Sequence, residues 1–393
     1  MKLPRGFLAS GVRAGIRKKR PDVALIVAPD GANAAALFTK TRFQAAPVVL
    51  SRIALKKSGG RVRAVVVNAG CANAVTGKAG LDAARRVREK TAEHLGCPPE
   101  EIFLASTGVI GVLLPDAKLR AALPAALSRL SGSGLDAASQ AILTTDVGPK
   151  VSQATYRIGA RRGRIVGFAK GAGMIHPNMA TMLAFVMTDG EASPEFLKAA
   201  LREAADRSFN TISVDGDTST NDTVLLMASG KLGGPALINL HDGADFRRAL
   251  IAVCRDLAHM IVRDGEGATR LMEINIEGAR TEREAQLATH AVATSPLVKT
   301  ALCGGDPNWG RILAAVGRSG AHFSSRHVSL SVGDLPLVVS GEPAAYREKD
   351  AARLFSREKV IVTVHLGAGR ASASRVTCDL GHDYISLNAD YRS

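Results

Sequence analysis

The sequence predicts an α/β protein with cores built from small aliphatic side chains. Hydrophobic residues make up 46% of the chain, whereas aromatic residues account for only 4%, and 39 residues are glycine. This balance favours many turns and cores of Ala, Val, Leu and Ile. At 393 residues the chain exceeds the size at which one hydrophobic core usually stops growing, so we expect two or more subdomains.

Short β-branched runs bounded by Gly, Pro or Asn recur along the chain and predict strands. These runs are residues 23–27, 63–68, 101–105, 164–169, 223–228, 272–276, 328–332 and 360–365. A further apolar segment with strand-like content begins at Thr181.

Helix patterns lie between the predicted strands. The apolar face of the clearest one, which runs from about residue 244 to 262, comprises Phe246, Leu250, Val253, Leu257 and Met260. Residues 193–195 supply an N-cap serine, a proline at the first helical position and an early acid for another helix that continues through Leu197 and Leu201. Residues 131–134 are the most linker-like stretch, and we expect them to join a helix to the next element. We place the domain boundary near residues 278–285, which gives a main domain of 1–280 and a smaller C-terminal α/β part of 281–393.

The net charge of +15 raises the question of nucleic-acid binding. A basic cluster near the N-terminus consists of Arg13, Arg17, Lys18, Lys19 and Arg20. The remaining basic residues are dispersed, aromatic stacking residues are scarce, and no nucleic-acid-binding signature is present. We therefore predict no nucleic-acid partner and interpret the charge as a solvated basic surface, which could also steer acidic small molecules toward the protein.

The five cysteines are odd in number and widely spaced, which argues for a reducing compartment and against structural zinc. No signal-peptide pattern or long apolar run is present, so we expect a cytoplasmic protein without a membrane partner. Asp215, Asp217 and Asp222 lie in one acidic loop that lacks EF-hand spacing, and we predict no metal site. Thr76-Gly77-Lys78 lacks the remaining features of a phosphate-binding loop.

A glycine-rich polar loop meets an apolar run at Thr181, and there we expect the chemistry. Gly171 and Gly173 permit sharp turns, and Pro177 stiffens the approach. A threonine hydroxyl is a weak nucleophile unless a base assists it, and the residue's own α-amino group can do so once the preceding bond is cut. From generic propensity alone, Thr181 would be an ordinary threonine at a strand start. His176 is left without a role.

Segments along nearly the whole chain carry a more specific signal. They are Pro4-Arg-Gly-Phe, Val67-Asn-Ala-Gly-Cys-Ala-Asn-Ala, Ala105-Ser-Thr-Gly-Val-Ile-Gly, Thr144-Thr-Asp, Lys170-Gly-Ala-Gly-Met-Ile-His-Pro-Asn-Met-Ala-Thr-Met-Leu, Asn210-Thr-Ile-Ser-Val-Asp-Gly-Asp-Thr-Ser-Thr-Asn-Asp, Asp264-Gly-Glu-Gly-Ala-Thr, Ser295-Pro-Leu-Val-Lys-Thr-Ala, Gly305-Asp-Pro-Asn-Trp-Gly-Arg and Asn388-Ala-Asp-Tyr-Arg-Ser. In this order they resemble the ornithine acetyltransferase (ArgJ) family, the bifunctional arginine-biosynthesis proteins.

The resemblance implies a fold and a processing step. The fold would be the α/β/β/α sandwich shared with self-processing aminopeptidases, with a smaller C-terminal α/β subdomain. The chain would cleave itself between Ala180 and Thr181 into an alpha chain of residues 1–180 and a beta chain of residues 181–393. Two copies of each would form a heterotetramer.

The resemblance also implies site roles. Thr181 would be the nucleophile, and Thr107 and Gly108 would form the oxyanion hole. The residues implied in substrate binding are Thr144, Lys170, Thr181, Glu266, Asn388 and Ser393. Many family members end in threonine where this chain has Ser393, which keeps the hydroxyl but alters its packing.

The implied reaction is transfer of an acetyl group from N-acetyl-ornithine to glutamate through an acetyl-threonine intermediate, without a cofactor. Some family members also use acetyl-CoA to acetylate glutamate, and no residue in the sequence decides between the two types. Two alternatives remain open. One is an aminopeptidase or amidase of the related fold with an N-terminal threonine, and the other is an uncleaved basic binding protein.

Overall fold

The computed structural model describes residues 1–176 and 182–390, and these residues fall into two compact units. Among these residues, the first unit comprises Met1–Asn210 and Thr218–Ile261, and the second comprises Thr211–Asp217 and residues 262–390.

The strands, in chain order, are β1 (Leu8–Val12), β2 (Val23–Phe38), β3 (Arg61–Cys71), β4 (Ile102–Val109), β5 (Lys150–Ile158), β6 (Arg161–Lys170), β7 (Leu183–Thr188), β8 (Ile212–Ser213), β9 (Thr223–Ala228), β10 (Leu271–Ala279), β11 (Ser329–Val332), β12 (Leu335–Val339), β13 (Glu342–Pro343), β14 (Lys359–His365) and β15 (Ala371–Cys378). The helices are α1 (Ala46–Lys57), α2 (Gly77–Leu95), α3 (Asp116–Ser128), α4 (Leu135–Ala141), α5 (Pro194–Asp206), α6 (Ala244–Arg263), α7 (Glu282–Ala293), α8 (Pro296–Gly304), α9 (Trp309–Gly317), α10 (Glu348–Phe355) and α11 (His382–Asp390).

Within the described residues, each unit contains one mixed sheet. In the first unit the strand order is β4-β3-β2-β9-β7-β6-β5, and β1 also pairs with β2. The β3–β4 and β7–β9 pairs are parallel, whereas the other pairs in this sheet are antiparallel. In the second unit the order is β13-β12-β11-β14-β10-β15-β8. The predicted α/β class is confirmed.

The sheet of the first unit is buried on both faces. Along β2, Ala24 and Ile26 belong to one core cluster, whereas Val23, Leu25 and Val27 belong to another. A strand that is buried on both faces appears in the sequence as a continuous apolar run rather than as an alternation. The β-branched runs in the sequence were therefore informative about strands.

The predicted strands and both predicted helices are present. Ser193 caps α5, since its Oγ accepts a hydrogen bond from the backbone N–H of Phe196 at 3.2 Å. On α6, Met260 is half-buried, whereas the four other residues of the predicted apolar face are buried. Residues 131–134 join α3 to α4, as expected.

The observed division between the units differs from the predicted boundary at residue 280. Strand β10 belongs to the second unit, because it pairs with β14 on one side and with β15 on the other. The short segment that contains β8 also joins this unit by pairing with β15. No helix in the described part of the chain is both long enough and apolar enough to cross a membrane.

Tyr156 links three strands of the first sheet to a helix. Its hydroxyl lies 2.9 Å from Thr188 Oγ1, and its ring meets Phe246 edge-on at 5.0 Å between centroids. Burial raises the pKa of Tyr156 to about 12. Gly163 pairs with Tyr156 across the β5–β6 hairpin, and a Cβ there would lie 2.4 Å from the tyrosine ring. Position 163 therefore requires glycine for steric reasons.

We expect Gly163→Ala to lower the free energy of unfolding by about 1–3 kcal/mol, because the new methyl group would displace the ring of Tyr156. Gly132→Ala is the matched control, since no atom lies within 4 Å of its Cβ position. The control should change stability by less than about 0.5 kcal/mol. Denaturant unfolding monitored by circular dichroism measures both, and equal midpoints would contradict the steric argument.

Candidate active site

A buried amide network fixes the ends of β3 and β4. Asn68 donates to the carbonyl of Cys71 at 2.8 Å and accepts from Ser106 Oγ at 2.6 Å. Asn221 donates to the carbonyls of Ala72 and Ser106 at 2.7 and 2.8 Å. The side chains thus satisfy carbonyl groups where the parallel strands end. Three separate sequence motifs are joined in this way beside Thr107.

Gly108 occupies a backbone position that excludes other residues. Its φ is +128°, and a Cβ there would lie 2.4 Å from the backbone carbon of Gly70 and 2.6 Å from the nitrogen of Cys71. The strand does not end before residue 106, as the sequence suggested, but continues through Val109. Thr107 and Gly108 therefore sit on a sheet strand whose position is fixed by β3, rather than in a turn.

Lys170 brings two of the predicted site residues together. Its ammonium group donates to Thr144 Oγ1 at 2.8 Å and to Thr107 Oγ1 at 3.3 Å. All three residues are buried or half-buried. A hydroxyl that accepts from an ammonium group retains its own O–H as a donor. The hydroxyl of Thr144 itself donates to Asp146 Oδ2 at 3.5 Å. Thr107 can therefore present a hydroxyl donor beside a positive charge, which suits a carboxylate or a developing oxyanion.

Asp146 is the buried acid of this cluster, and its position in the sequence did not indicate a role. Its carboxylate accepts from Lys150 Nζ at 2.7 Å, from the Gly171 N–H at 2.7 Å and from the Thr144 N–H at 3.0 Å. Lys170 Nζ lies 3.9 Å away. Burial opposes ionisation, but the attraction of Lys170 and Lys150, with these hydrogen bonds, holds the pKa of Asp146 well below its usual range. The acid is therefore a carboxylate at neutral pH.

Arg17 supports the loop that carries Thr144. Its guanidinium donates to the carbonyl of Leu143 at 2.5 Å, and its backbone N–H donates to Asp22 at 2.8 Å. Of the basic cluster near the N-terminus, this member thus serves as a structural support for the candidate site.

The segment before the predicted cleavage position is held by a neighbouring loop. Ile175 forms an isolated bridge with Thr218, and Thr218 Oγ1 donates to the carbonyl of His176 at 3.0 Å. Met174 adopts a left-handed conformation with φ of +55°, which is unusual for a residue other than glycine. Ala180 and Thr181 lie outside the described residues.

A second group of predicted residues meets within the second unit. Asn388, on α11, donates to Glu266 Oε2 at 2.9 Å. Gly267 makes this approach sterically feasible, because a Cβ there would lie 2.5 Å from the nitrogen of Tyr384. Ser393 lies outside the described residues.

Tyr384 adds an aromatic hydroxyl to this group. Its pKa is raised by burial and by the nearby carboxylates of Asp215, Glu266 and Asp217, and its hydroxyl is hydrogen-bonded to Asp215. Asp222, the third acid of the loop singled out in the sequence, belongs to the first unit. Within the described residues, no group of three His, Cys, Asp or Glu side chains is arranged to hold a metal ion.

Sequence reasoning assigned no role to several residues that shape these groups, chiefly Asp146, Lys150, Asn221 and Tyr384. Asp146 belongs to the Thr144-Thr-Asp motif, and Asn221 belongs to the motif that begins at Asn210. Membership in these motifs was the only indication in the sequence that either residue has a role. Lys150 follows Asp146 by four residues in a non-helical segment, and nothing in that spacing predicts a buried ion pair.

Comparison with known proteins extends over nearly the whole chain. The arginine biosynthesis bifunctional protein ArgJ of Symbiobacterium thermophilum is 47% identical over 395 residues, covering 99% of this chain and 98% of the relative. Its namesake from Chlorobaculum tepidum is 45% identical over 391 residues, covering 99% and 96%. The crystal structure of ArgJ from Bacillus halodurans matches with a TM-score of 0.51 and 40% identity, covering 53% of this chain and 98% of that one.

The family model agrees with these relatives. The model described as the ArgJ family matches residues 8–393. The resemblance drawn from the motifs is thereby confirmed: the chain belongs to the ArgJ family.

Proposed function

We propose that this protein transfers acetyl groups in arginine biosynthesis, from N-acetyl-ornithine to glutamate, as a glutamate N-acetyltransferase. The observation that carries the proposal is the cluster in which Lys170 binds the hydroxyls of Thr107 and Thr144. Family membership supports the same activity, since the relatives are named arginine biosynthesis bifunctional proteins.

The nucleophile in this proposal is Thr181, freed by self-cleavage. Its hydroxyl attacks the carbonyl of Ala180, the resulting ester hydrolyses, and chains 1–180 and 181–393 result. The new α-amino group, with an ordinary pKa of about 7.7–8.0, then serves as the base that accepts the hydroxyl proton.

Acetyl transfer follows in two steps. The Thr181 hydroxyl attacks the acetyl carbonyl of N-acetyl-ornithine, ornithine leaves, and the amine of glutamate then attacks the acetyl ester. Each step passes through a tetrahedral oxyanion, which Thr107 and Gly108 stabilise. Because Lys170 donates to Thr107 Oγ1, the threonine O–H is directed away from the ammonium group and can donate to the oxyanion.

The substrate-binding roles follow the chemistry of the side chains. Lys170 pairs with the substrate carboxylate, and Thr144 adds a hydroxyl beside it. The resemblance implies that Glu266 pairs with an ammonium group and that Asn388 and Ser393 supply neutral hydrogen bonds.

Further parts of the proposal concern acetyl-CoA, assembly and location. Acetyl-CoA is proposed as a second acetyl donor, because the relatives are named bifunctional. We also predict a heterotetramer of two alpha and two beta chains and a cytoplasmic location. An aminopeptidase or amidase with the same nucleophile is the alternative, and it would hydrolyse amides without requiring glutamate.

We expect Thr181→Ala to abolish both self-cleavage and acetyl transfer, because it removes the attacking hydroxyl. Intact-mass spectrometry should find two chains split before Thr181 in the wild type and one uncleaved chain in the variant. Thr181→Ser, which keeps the hydroxyl, is the matched control and should still cleave. Transfer should be assayed from N-acetyl-ornithine to glutamate, and separately from acetyl-CoA. A wild-type chain that stays intact would refute the nucleophile assignment, and amide hydrolysis independent of glutamate would favour the alternative.

We expect Thr107→Ala to lower kcat for acetyl transfer by about 10²- to 10³-fold, because an oxyanion donor acts mainly in the transition state. The control Thr107→Ser keeps the donor and should stay within about tenfold of the wild type. Fully cleaved protein must be compared, so that processing does not limit the rate. A rise in KM with unchanged kcat would instead assign Thr107 to ground-state binding.

A further inference from the structure

We propose that Lys150 is a positioning residue for substrate-carboxylate recognition. It occupies the carboxylate of Asp146, and the ammonium group of Lys170 is thereby kept at the Thr107 and Thr144 hydroxyls. This inference rests on the proposed function, in which Lys170 pairs with the substrate carboxylate.

The two lysines differ in their distance from one buried acid. Lys150 Nζ lies 2.7 Å from Asp146 Oδ1, whereas Lys170 Nζ lies 3.9 Å from Asp146 Oδ2. The side chains of Lys150 and Asp146 are 3% and 0% exposed, so water does not screen this pair strongly. Of the two lysines, Lys150 thus makes the short contact with Asp146, whereas Lys170 donates to Thr144 at 2.8 Å.

Asp146 is held in a fixed orientation. The N–H groups of Thr144 and Gly171 donate to its two oxygens, so the carboxylate bridges the loop before β5 and the end of β6. Lys150 begins β5 and pairs with Ala169, the neighbour of Lys170 on β6. Both lysines therefore project from paired strands, which fixes the distances between the three charged groups.

The charges explain why a second lysine is needed. A buried carboxylate that loses its close cation is strongly destabilised unless another cation replaces it. Lys170 is already 3.9 Å from Asp146, and a movement of about one ångström would bring it into hydrogen-bond range. Without Lys150, Asp146 would draw Lys170 away from the hydroxyls. When Lys150 is present, Asp146, Lys150 and Lys170 together carry a net charge of one positive unit, which favours an anionic substrate.

A purely structural role for Lys150 makes a different prediction. If the ion pair only stabilised the β5–β6 region, its loss would slow the turnover of charged and neutral substrates by the same factor. If Lys150 keeps Lys170 available, its loss would affect substrates that carry a carboxylate much more than uncharged analogues. The ratio of kcat/KM for the charged substrate to kcat/KM for the uncharged analogue therefore distinguishes the two roles.

The experiment compares N-acetyl-ornithine with its α-carboxamide as acetyl donors to glutamate. For Lys150→Met we expect the preference for the carboxylate substrate, measured as a ratio of kcat/KM values, to fall by at least about tenfold, since a charge-assisted hydrogen bond is lost. The loss should appear in KM more than in kcat. Lys150→Arg keeps the cation and should retain the preference within about threefold.

A double variant gives the sharper test. In Asp146→Asn/Lys150→Met the carboxylate of residue 146 no longer attracts Lys170, so the preference should recover relative to Lys150→Met alone. Lys299→Met is the matched control, because Lys299 is also buried, 4% exposed, and donates to Thr377 Oγ1 at 2.9 Å in the second unit. This control should lower the melting temperature without changing the preference.

The outcomes are distinct. Equal losses for both substrates in Lys150→Met, or no recovery in the double variant, would overturn the inference. If Lys150→Met does not fold, a loss of preference in a stably folded Lys150→Arg variant, or in the double variant, would overturn it. Absence of transfer by the wild-type protein would instead refute the proposed function, so the two failures are distinguishable.

Discussion

The candidate site in the first unit depends on one constraint, the burial of the Asp146 carboxylate. A charge removed from water must be compensated by cations and hydrogen-bond donors, and Asp146 obtains them from Lys150 and from the backbone N–H groups of Thr144 and Gly171. The same contacts join the loop before β5 to the end of β6. The position of Lys170, and with it that of the threonine hydroxyls it binds, follows from satisfying this acid.

Much of the fold could be predicted from the sequence because the sheet of the first unit is buried on both faces. Strands such as β2, β3 and β9 appear as apolar β-branched runs, and α5 carries a complete N-terminal signal at Ser193 and Pro194. Strand β15 could not be found in this way. Its sequence begins with alternating Ala and Ser, and it becomes a strand through pairing with β10 and β8. Both partner strands lie more than 90 residues away in the sequence, so the residues of β15 carry no local signal for a strand.

The candidate site was predictable in its motifs but not in its contacts. Thr107, Thr144 and Lys170 were identified by resemblance, and the structure brings them together. Lys150 escaped detection because burial and a carboxylate partner, not residue type, distinguish it from the many lysines of a basic chain. The network of Asn68, Ser106 and Asn221 likewise depends on contacts between distant segments.

The glycines of the motifs serve geometry, whereas the charged residues beside them serve chemistry. Gly108 permits the backbone of β4 to approach Gly70, and Gly267 permits α11 to approach the loop of Glu266. A side chain at position 108 would push β4 away from β3, and Thr107 on β4 must reach Lys170. A side chain at position 267 would push α11 away from its loop, and Asn388 on α11 must reach Glu266. A motif such as Ser-Thr-Gly or Asp-Gly-Glu-Gly therefore combines a polar group with the backbone freedom that delivers it. This physical coupling is why whole motifs, rather than isolated polar residues, carried the functional signal in the sequence.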